Sequence, residues 1–316
     1  MKKLFVAFCA VAALAACAKE EIVSLDKGEA IQFGNAFVEN ATRATDPSYG
    51  GAQGQQALTS FKLWGTVDSS NNTPVAIYAN DTVTGTVGTN VVDGKETHVW
   101  NCTSKTQYWI KDAKYNFAAL VNAGNVTLGN DLLPATVEFT ANGSTDLMYA
   151  RSTEDIVGKA SGNAPVNFTF GHLLSKVYIA VTNNSSSATG YSFLVKNIKI
   201  YAPKTGKYYI QAVDTTAAGT WAATNGDYTF ANISVTGATA ECAAEQLLIP
   251  GAATISFTVD IICNEATITT VDYSKEVSLA AATAYKFNII TSVGEPIKFS
   301  VTEQPTWTNA DPSNLN

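Results

Sequence analysis

Short runs in which apolar and polar side chains alternate recur from Ile31 to Val301, each closed by Gly, Asn, Asp, Ser or Thr. Phe61-Lys62-Leu63-Trp64-Gly65-Thr66-Val67 is one such run, and Ser69-Ser70-Asn71-Asn72 closes it. A period of two sends successive side chains to opposite faces, the mark of a strand with one buried face. The pattern predicts further strands at 31–38, 75–78, 97–100, 107–110 and 115–121. Beyond a polar stretch from Ser152 to Pro165 it predicts strands at 166–170, 177–181, 193–201, 207–213, 228–235 and 246–249. Those at 255–262, 267–271, 275–279, 285–291 and 297–301 complete the series. Lys204-Thr205-Gly206 reads as a turn, 217–227 as a turn-rich insert, and only 130–133 and 152–156 as short helical excursions. Many short strands with turn residues between them predict an all-β, mostly antiparallel sandwich and exclude βαβ units. The polar stretch divides the body into two domains, 44–160 and 161–316.

The first 43 residues follow different rules. Met1-Lys2-Lys3 is a basic start, and residues 4–16 form an apolar run too short for a membrane span, which needs roughly 20 residues. Basic start, apolar core and small residues before a break describe a secretory signal peptide over residues 1–16. Ile31 and Phe33 share one face of an extended segment that Phe37 continues. Residues 46–56, rich in Gly, Pro, Ser and Gln, have the composition of an exposed loop, so Arg43 lies where proteolysis concentrates.

Composition narrows the function. Charged residues make up only 15% of the chain. Once Lys2 and Lys3 leave with the leader, 18 basic residues face 27 acidic ones, a net charge of −9. That balance gives nucleic acid no electrostatic footprint. His98 and His172 are the only histidines, no CxxC or HxxxH spacing occurs, and no metal or cofactor is expected. No GxSxG elbow, P-loop or GxGxxG signature occurs, and Asp260, Glu265 and Asp272 read as scattered surface acids, so no catalytic residue is assigned. His172 sits in an apolar context and reads as a packed, hydrogen-bonded structural residue. Trp64, Trp100, Trp109, Trp221 and Trp307 are either core residues or a platform for sugar rings. Cys102, Cys242 and Cys263 remain beyond the leader; an odd number cannot all pair, and Cys242–Cys263 stands open as a bridge or as two thiols.

Several short motifs carry a resemblance. Leu14-Ala15-Ala16-Cys17 resembles the bacterial lipobox, which implies cleavage between Ala16 and Cys17 and a diacylglycerol on the Cys17 sulfur. Ala18-Lys19-Glu20-Glu21 resembles the export signal of Bacteroidetes surface lipoproteins, and Asp81-Thr82-Val83 resembles an O-glycosylation sequon of the same bacteria. Asp146-Leu147-Met148-Tyr149-Ala150, a loop, and then Phe170-Gly171-His172-Leu173-Leu174-Ser175-Lys176-Val177 resemble the Bacteroidetes fimbrillin family. Taken with the leader, the resemblance spans Ile31 to Trp307.

It implies two tandem transthyretin-like antiparallel β-sandwiches behind a lipoprotein signal peptide and a lipidated propeptide over 17–43. It implies a cut between Arg43 and Ala44 by an arginine- or trypsin-like surface protease. That cut would release the tether and a removable first strand bearing Ile31, Phe33 and Phe37. The implied partners are other fimbrial subunits and, before the cut, outer-membrane lipid; the implied place is the cell surface, then a fimbrium contributing to adhesion. A rival reading is an uncleaved surface lipoprotein, acting as a fimbrial anchor or a glycan-binding module. The polar tail after Trp307 argues against a stalk donor strand unless residues 297–301 unzip as well.

Overall fold

The computed structural model describes residues 28–38, 58–68, 73–92, 95–152, 155–185, 190–211, 219–237, 241–242 and 245–304. No helix occurs among them, and twenty strands do. The first ten are β1 (Phe33–Val38), β2 (Ser60–Asp68), β3 (Val75–Val92), β4 (Lys95–Cys102), β5 (Lys114–Val121), β6 (Val126–Leu128), β7 (Pro134–Thr140), β8 (Met148–Arg151), β9 (Ile156–Val157) and β10 (Val166–His172). Next come β11 (Ser175–Asn183), β12 (Tyr191–Tyr209), β13 (Thr220–Thr229), β14 (Ile233–Val235) and β15 (Glu241–Cys242). The last are β16 (Gln246–Leu248), β17 (Gly251–Cys263), β18 (Ala266–Leu279), β19 (Ala284–Thr291) and β20 (Lys298–Gln304).

The first sheet runs β2-β3-β4-β1-β10-β8-β5, and β2 pairs again with β5, so seven strands close into a ring. The alternation read from the sequence points into it. Phe61, Leu63, Tyr115, Phe117, Phe168 and Phe170 fill its interior with Tyr78 and Trp100. β5 is buried on its other face too, because Leu133 covers Trp64, Ala118 and Leu120 from the β6–β7 connection.

The other two sheets face each other as a sandwich. One has the order β15-β11-β19-β20, with β16 also on β11; the other runs β18-β17-β12-β7-β6, with β13 and β14 on β12. Val177, Ile179, Phe287 and Ile289 from the first meet Phe193, Val195, Ile255 and Phe257 from the second. β17 and β18 join at Asn264-Glu265, where both residues have positive φ, as a tight hairpin between twisted strands requires. β7 pairs with β12, and β10 pairs with β1 and β8, so strands from either side of residue 160 share sheets across it.

Local expectations are corrected in four places. Lys204-Thr205-Gly206 is not a turn: β12 runs straight through it, paired with β13 on one side and β7 on the other. Gly206 serves close approach instead, since a side chain there would run into Ala222 and Ala223. Within the insert expected at 217–227, residues from Thr220 onward form β13. Residues 130–133 form a turn and bend rather than a helical excursion, with Leu132 at φ 59°. Residues 107–110 form a single bridge rather than a strand, Tyr108 opposite Ala30, closed by the hydrogen bonds from Ile31 N–H to the Gln107 carbonyl and from Trp109 N–H to the Glu29 carbonyl.

Candidate functional site: the slot of the first strand

β1 is the stave between β4 and β10. Along β10 it runs parallel, with Phe33 opposite Val166, Ala36 opposite Phe168, Phe37 opposite Thr169 and Val38 opposite Phe170. An irregularity between Phe33 and Ala36 brings Ala36 to the buried side, where it is 1% exposed. Toward β4 it has one partner, Phe33 opposite Trp100. Parallel strands cannot be joined by a tight turn, and here more than a hundred residues separate the two in sequence.

Side chains do what the sparse ladder does not. The Phe33 ring lies 5.7 Å from Tyr78, 6.4 Å from Phe117 and 6.4 Å from Phe168. Ile31 and Phe33 are buried at 6% and 8% exposure, as their shared face predicts. The Phe37 backbone is in register with Thr169, and its side chain lies outside the described residues. Gly34 packs where a side chain would strike the Asn167 amide.

Ahead of β1 the chain is laced on both flanks. Ile31 N–H donates to the Gln107 carbonyl at 2.8 Å, and Trp109 N–H donates to the Glu29 carbonyl at 2.9 Å. On the other flank, Val166 N–H donates to the Gln32 carbonyl at 2.8 Å. The Glu29 carboxylate accepts from Gly162 N–H at 2.9 Å, Asn163 N–H at 2.8 Å and the Asn163 amide at 3.0 Å. These donors, the Gly162 backbone foremost, hold its carboxyl below the usual carboxylate range. Glu29 escaped the sequence reading because a lone polar residue before a strand carries no periodic signal; Gly28, which gives Trp109 room, is the nearest cue.

Other candidate residues lie elsewhere. Ala16, Cys17, Arg43, Ala44 and Trp307 fall outside the described residues, as does the side chain of Cys242. Cys242 stands on β15 opposite Ala180, while Cys263 ends β17 as a free thiol. His172 is buried, and its Nδ1 lies 2.5 Å from Asp146 Oδ2 at the edge of the ring. Thr82 of the Asp81-Thr82-Val83 stretch accepts from Lys62 Nζ at 2.8 Å, and Val83 is buried. Asp260 accepts from Lys196 and Thr270, and Asp272 from Thr258, so both acids are engaged within the sheet face. Trp64, Trp100 and Trp109 are buried at 3%, 4% and 3% exposure, which leaves them no face for a sugar. Among the described residues no group of three or more His, Cys, Asp or Glu side chains could hold a metal ion.

A family model described as fimbrillin-like matches residues 42–305. Among solved structures, a fimbrial protein from Bacteroides vulgatus has 16% identity and a TM-score of 0.57, over 88% of this chain and 99% of that one. A provisionally assigned cell adhesion protein from Bacteroides ovatus has 16% identity and a TM-score of 0.54, over 90% and 99% of the two chains. Another such protein, from Bacteroides uniformis, has 17% identity and a TM-score of 0.51, over 90% and 100%. At these identities the likeness speaks to fold alone. No curated protein matches the chain.

Proposed function

The chain belongs to the fimbrillin-like family, and from that premise we propose that it is a structural subunit of surface fimbriae that assembles by exchanging its first strand. The observation that carries this reading is β1 itself, a stave of a closed ring that has a short, interrupted ladder to β10, a single pairing to β4 and a few buried side chains. Cys17 holds the precursor to the outer membrane through its acyl chains. A surface arginine- or trypsin-like protease cuts between Arg43 and Ala44, and residues 17–43 leave with β1. The ring then opens between β4 and β10.

An open β10 edge offers unpaired backbone groups over the emptied positions of Ile31 and Phe33. Strand addition draws affinity from the backbone ladder and register from pockets for alternate side chains. An edge of this kind polymerises readily, so keeping β1 in place until export prevents premature assembly. The incoming strand comes from the C-terminal region of a neighbour, and the polymer contributes to adhesion. No turnover enters this reading. The buried tryptophans weigh against a sugar platform, while a chain that keeps β1 would serve as the uncleaved anchor.

The test is the N-terminal sequence and intact mass of the protein from native cells, with and without inhibition of arginine-specific proteolysis. A start at Ala44 that shifts to acylated Cys17 under inhibition is the expected result. A start at acylated Cys17 in both samples rules out strand release and leaves the anchor.

A further inference from the structure

From Thr205 to Tyr209, β12 lies between β7 and β13 and is paired along both edges. Tyr208 turns inward and is 7% exposed, so Thr205, Lys207 and Tyr209 share the outer face of the sheet. Register arranges that face in three rows. Thr205 stands between Thr140 and Thr224, Lys207 between Glu138 and Ala222, and Tyr209 between Thr136 and Thr220. The first two rows and the chain at 122–125 line a groove of about 1020 Å³. Tyr209, 46% exposed, sets an aromatic ring in the row beside it.

The groove offers donors and acceptors without net charge. Lys207 Nζ lies 3.5 Å from Glu138 Oε1, and both side chains remain open to solvent at 37% and 50% exposure. Asn125 donates to Glu138 Oε2 at 3.1 Å. Asn125 and Lys207 hold the Glu138 carboxyl below its usual range, so it is an ionised acceptor at neutral pH. The Lys207 ammonium keeps donors to spare, and the Glu138 carboxylate keeps free lone pairs. Thr224 donates to the Thr205 carbonyl at 3.2 Å and retains its oxygen as an acceptor.

These features select among ligands. A peptide strand finds no ladder here, because β7 and β13 already pair with β12 on either edge. An anion meets the Glu138 carboxylate and a chain with more acid than base. A sugar hydroxyl both donates and accepts, as the Glu138–Lys207 pair requires, and a sugar ring has an apolar face to lay on an aromatic one. Same-face residues along a strand are roughly 7 Å apart, so a ring seated on Tyr209 places its neighbour over Lys207 and Glu138. Trp64, Trp100 and Trp109 are buried and cannot stack in this way; Tyr209 can.

We propose that this face binds a neutral oligosaccharide, one sugar ring stacked on Tyr209 and the next held in the groove by Glu138, Lys207 and Asn125. The site lies apart from the slot of β1 and does not depend on strand exchange.

The test is binding of the full-length chain to an array of neutral oligosaccharides of glucose, galactose, mannose and N-acetylglucosamine, with sialylated and sulfated forms beside them. Retention of at least one neutral oligosaccharide, more tightly than its charged forms, is expected. For that sugar, Tyr209→Ala is expected to weaken binding about tenfold, while Tyr209→Phe, which keeps the ring, stays within about twofold. Glu138→Gln, and Ala222→Gln which fills the groove, are each expected to weaken it several-fold. Tyr201→Ala removes a ring 51% exposed on the same strand but outside the groove, and is expected to leave binding unchanged. Unfolding midpoints equal to the parent's tie these losses to the surface. Failure to retain any neutral oligosaccharide, or a preference for charged forms, overturns the proposal. So does binding that Tyr201→Ala weakens while Tyr209→Ala and Ala222→Gln do not. Each of these results leaves the fimbrial reading to its own N-terminal test.

Discussion

Among the described residues two ladders are parallel, and they are built on opposite plans. β11 and β19 match over eight unbroken positions, from Lys176 opposite Ala284 to Asn183 opposite Thr291. β11 is enclosed on its other edge by β15 and β16. It is buried on both faces, even to Lys176, whose Nζ pairs with Glu245 at 3.0 Å. β1 and β10 match over four positions with a break among them, and β1 touches β4 at one. A strand bonded along both edges leaves only when the fold does. One held by a short, broken ladder on one edge, a single pairing on the other and the hydrogen bonds that lace residues 29–32 has less to break, and opening costs scale with what is locally broken.

The largest effect that probes this contrast is Phe287→Ala on β19, at a fully enclosed position. Truncating a buried phenylalanine costs about 3–5 kcal/mol. Here the loss is expected to appear as a lower urea midpoint for the whole sandwich. Phe33→Ala removes a side chain of the same size at 8% exposure, so the expected loss lies near the lower end, about 3 kcal/mol. Its signature differs: amide exchange speeds up along β10 while β11 keeps its protection, and residues 28–38 dissociate faster once the chain is cut. Equal loss of protection on β10 and β11 would mean that ring and sandwich unfold as one unit, and the contrast between the ladders would disappear.

The sequence carries one half of this contrast openly. Alternation at Tyr115 and Phe117, or at Ile31 and Phe33, reports which face is buried and therefore yields the strands and much of the core. It does not report against what. That Phe33 lies opposite Val166 depends on chain closure over a long distance, which no local pattern encodes. The same limit explains Lys204-Thr205-Gly206, where turn-forming residues lie inside a strand paired on both edges, and where Ala222 and Ala223 of β13 leave no room for a side chain at position 206. The latch is invisible for a further reason: the partners of Glu29 are mainly backbone amides of Gly162 and Asn163, and loop amides have no sequence signature.

That latch provides the smallest and most specific probe. The folded-state pKa of Glu29 lies below its ordinary value of 4.5, because Gly162, Asn163 and the Asn163 amide donate to the ionised carboxylate. A depressed folded pKa contributes stability that is fully present above the unfolded value and lost as pH falls through the folded one. Departure of residues 28–38 from the cut protein should therefore hold steady from neutral pH down to about 4.5 and quicken below it. The carboxylate is exposed, so the effect is modest and shrinks as salt rises. Asp81 also has a depressed pKa; burial pushes it up, but hydrogen bonds from Ser104, Ala79 and Lys105 outweigh that, so its protonation loosens the segment on the other flank of β1. Glu29→Gln separates the two. It keeps an acceptor oxygen but has no proton to gain, so it should release the strand slightly faster at neutral pH and flatten only its own share of the acid response. A variant whose acid response matches the parent would assign the pH dependence to Asp81 and its neighbours, leaving the Glu29 flank as passive lacing.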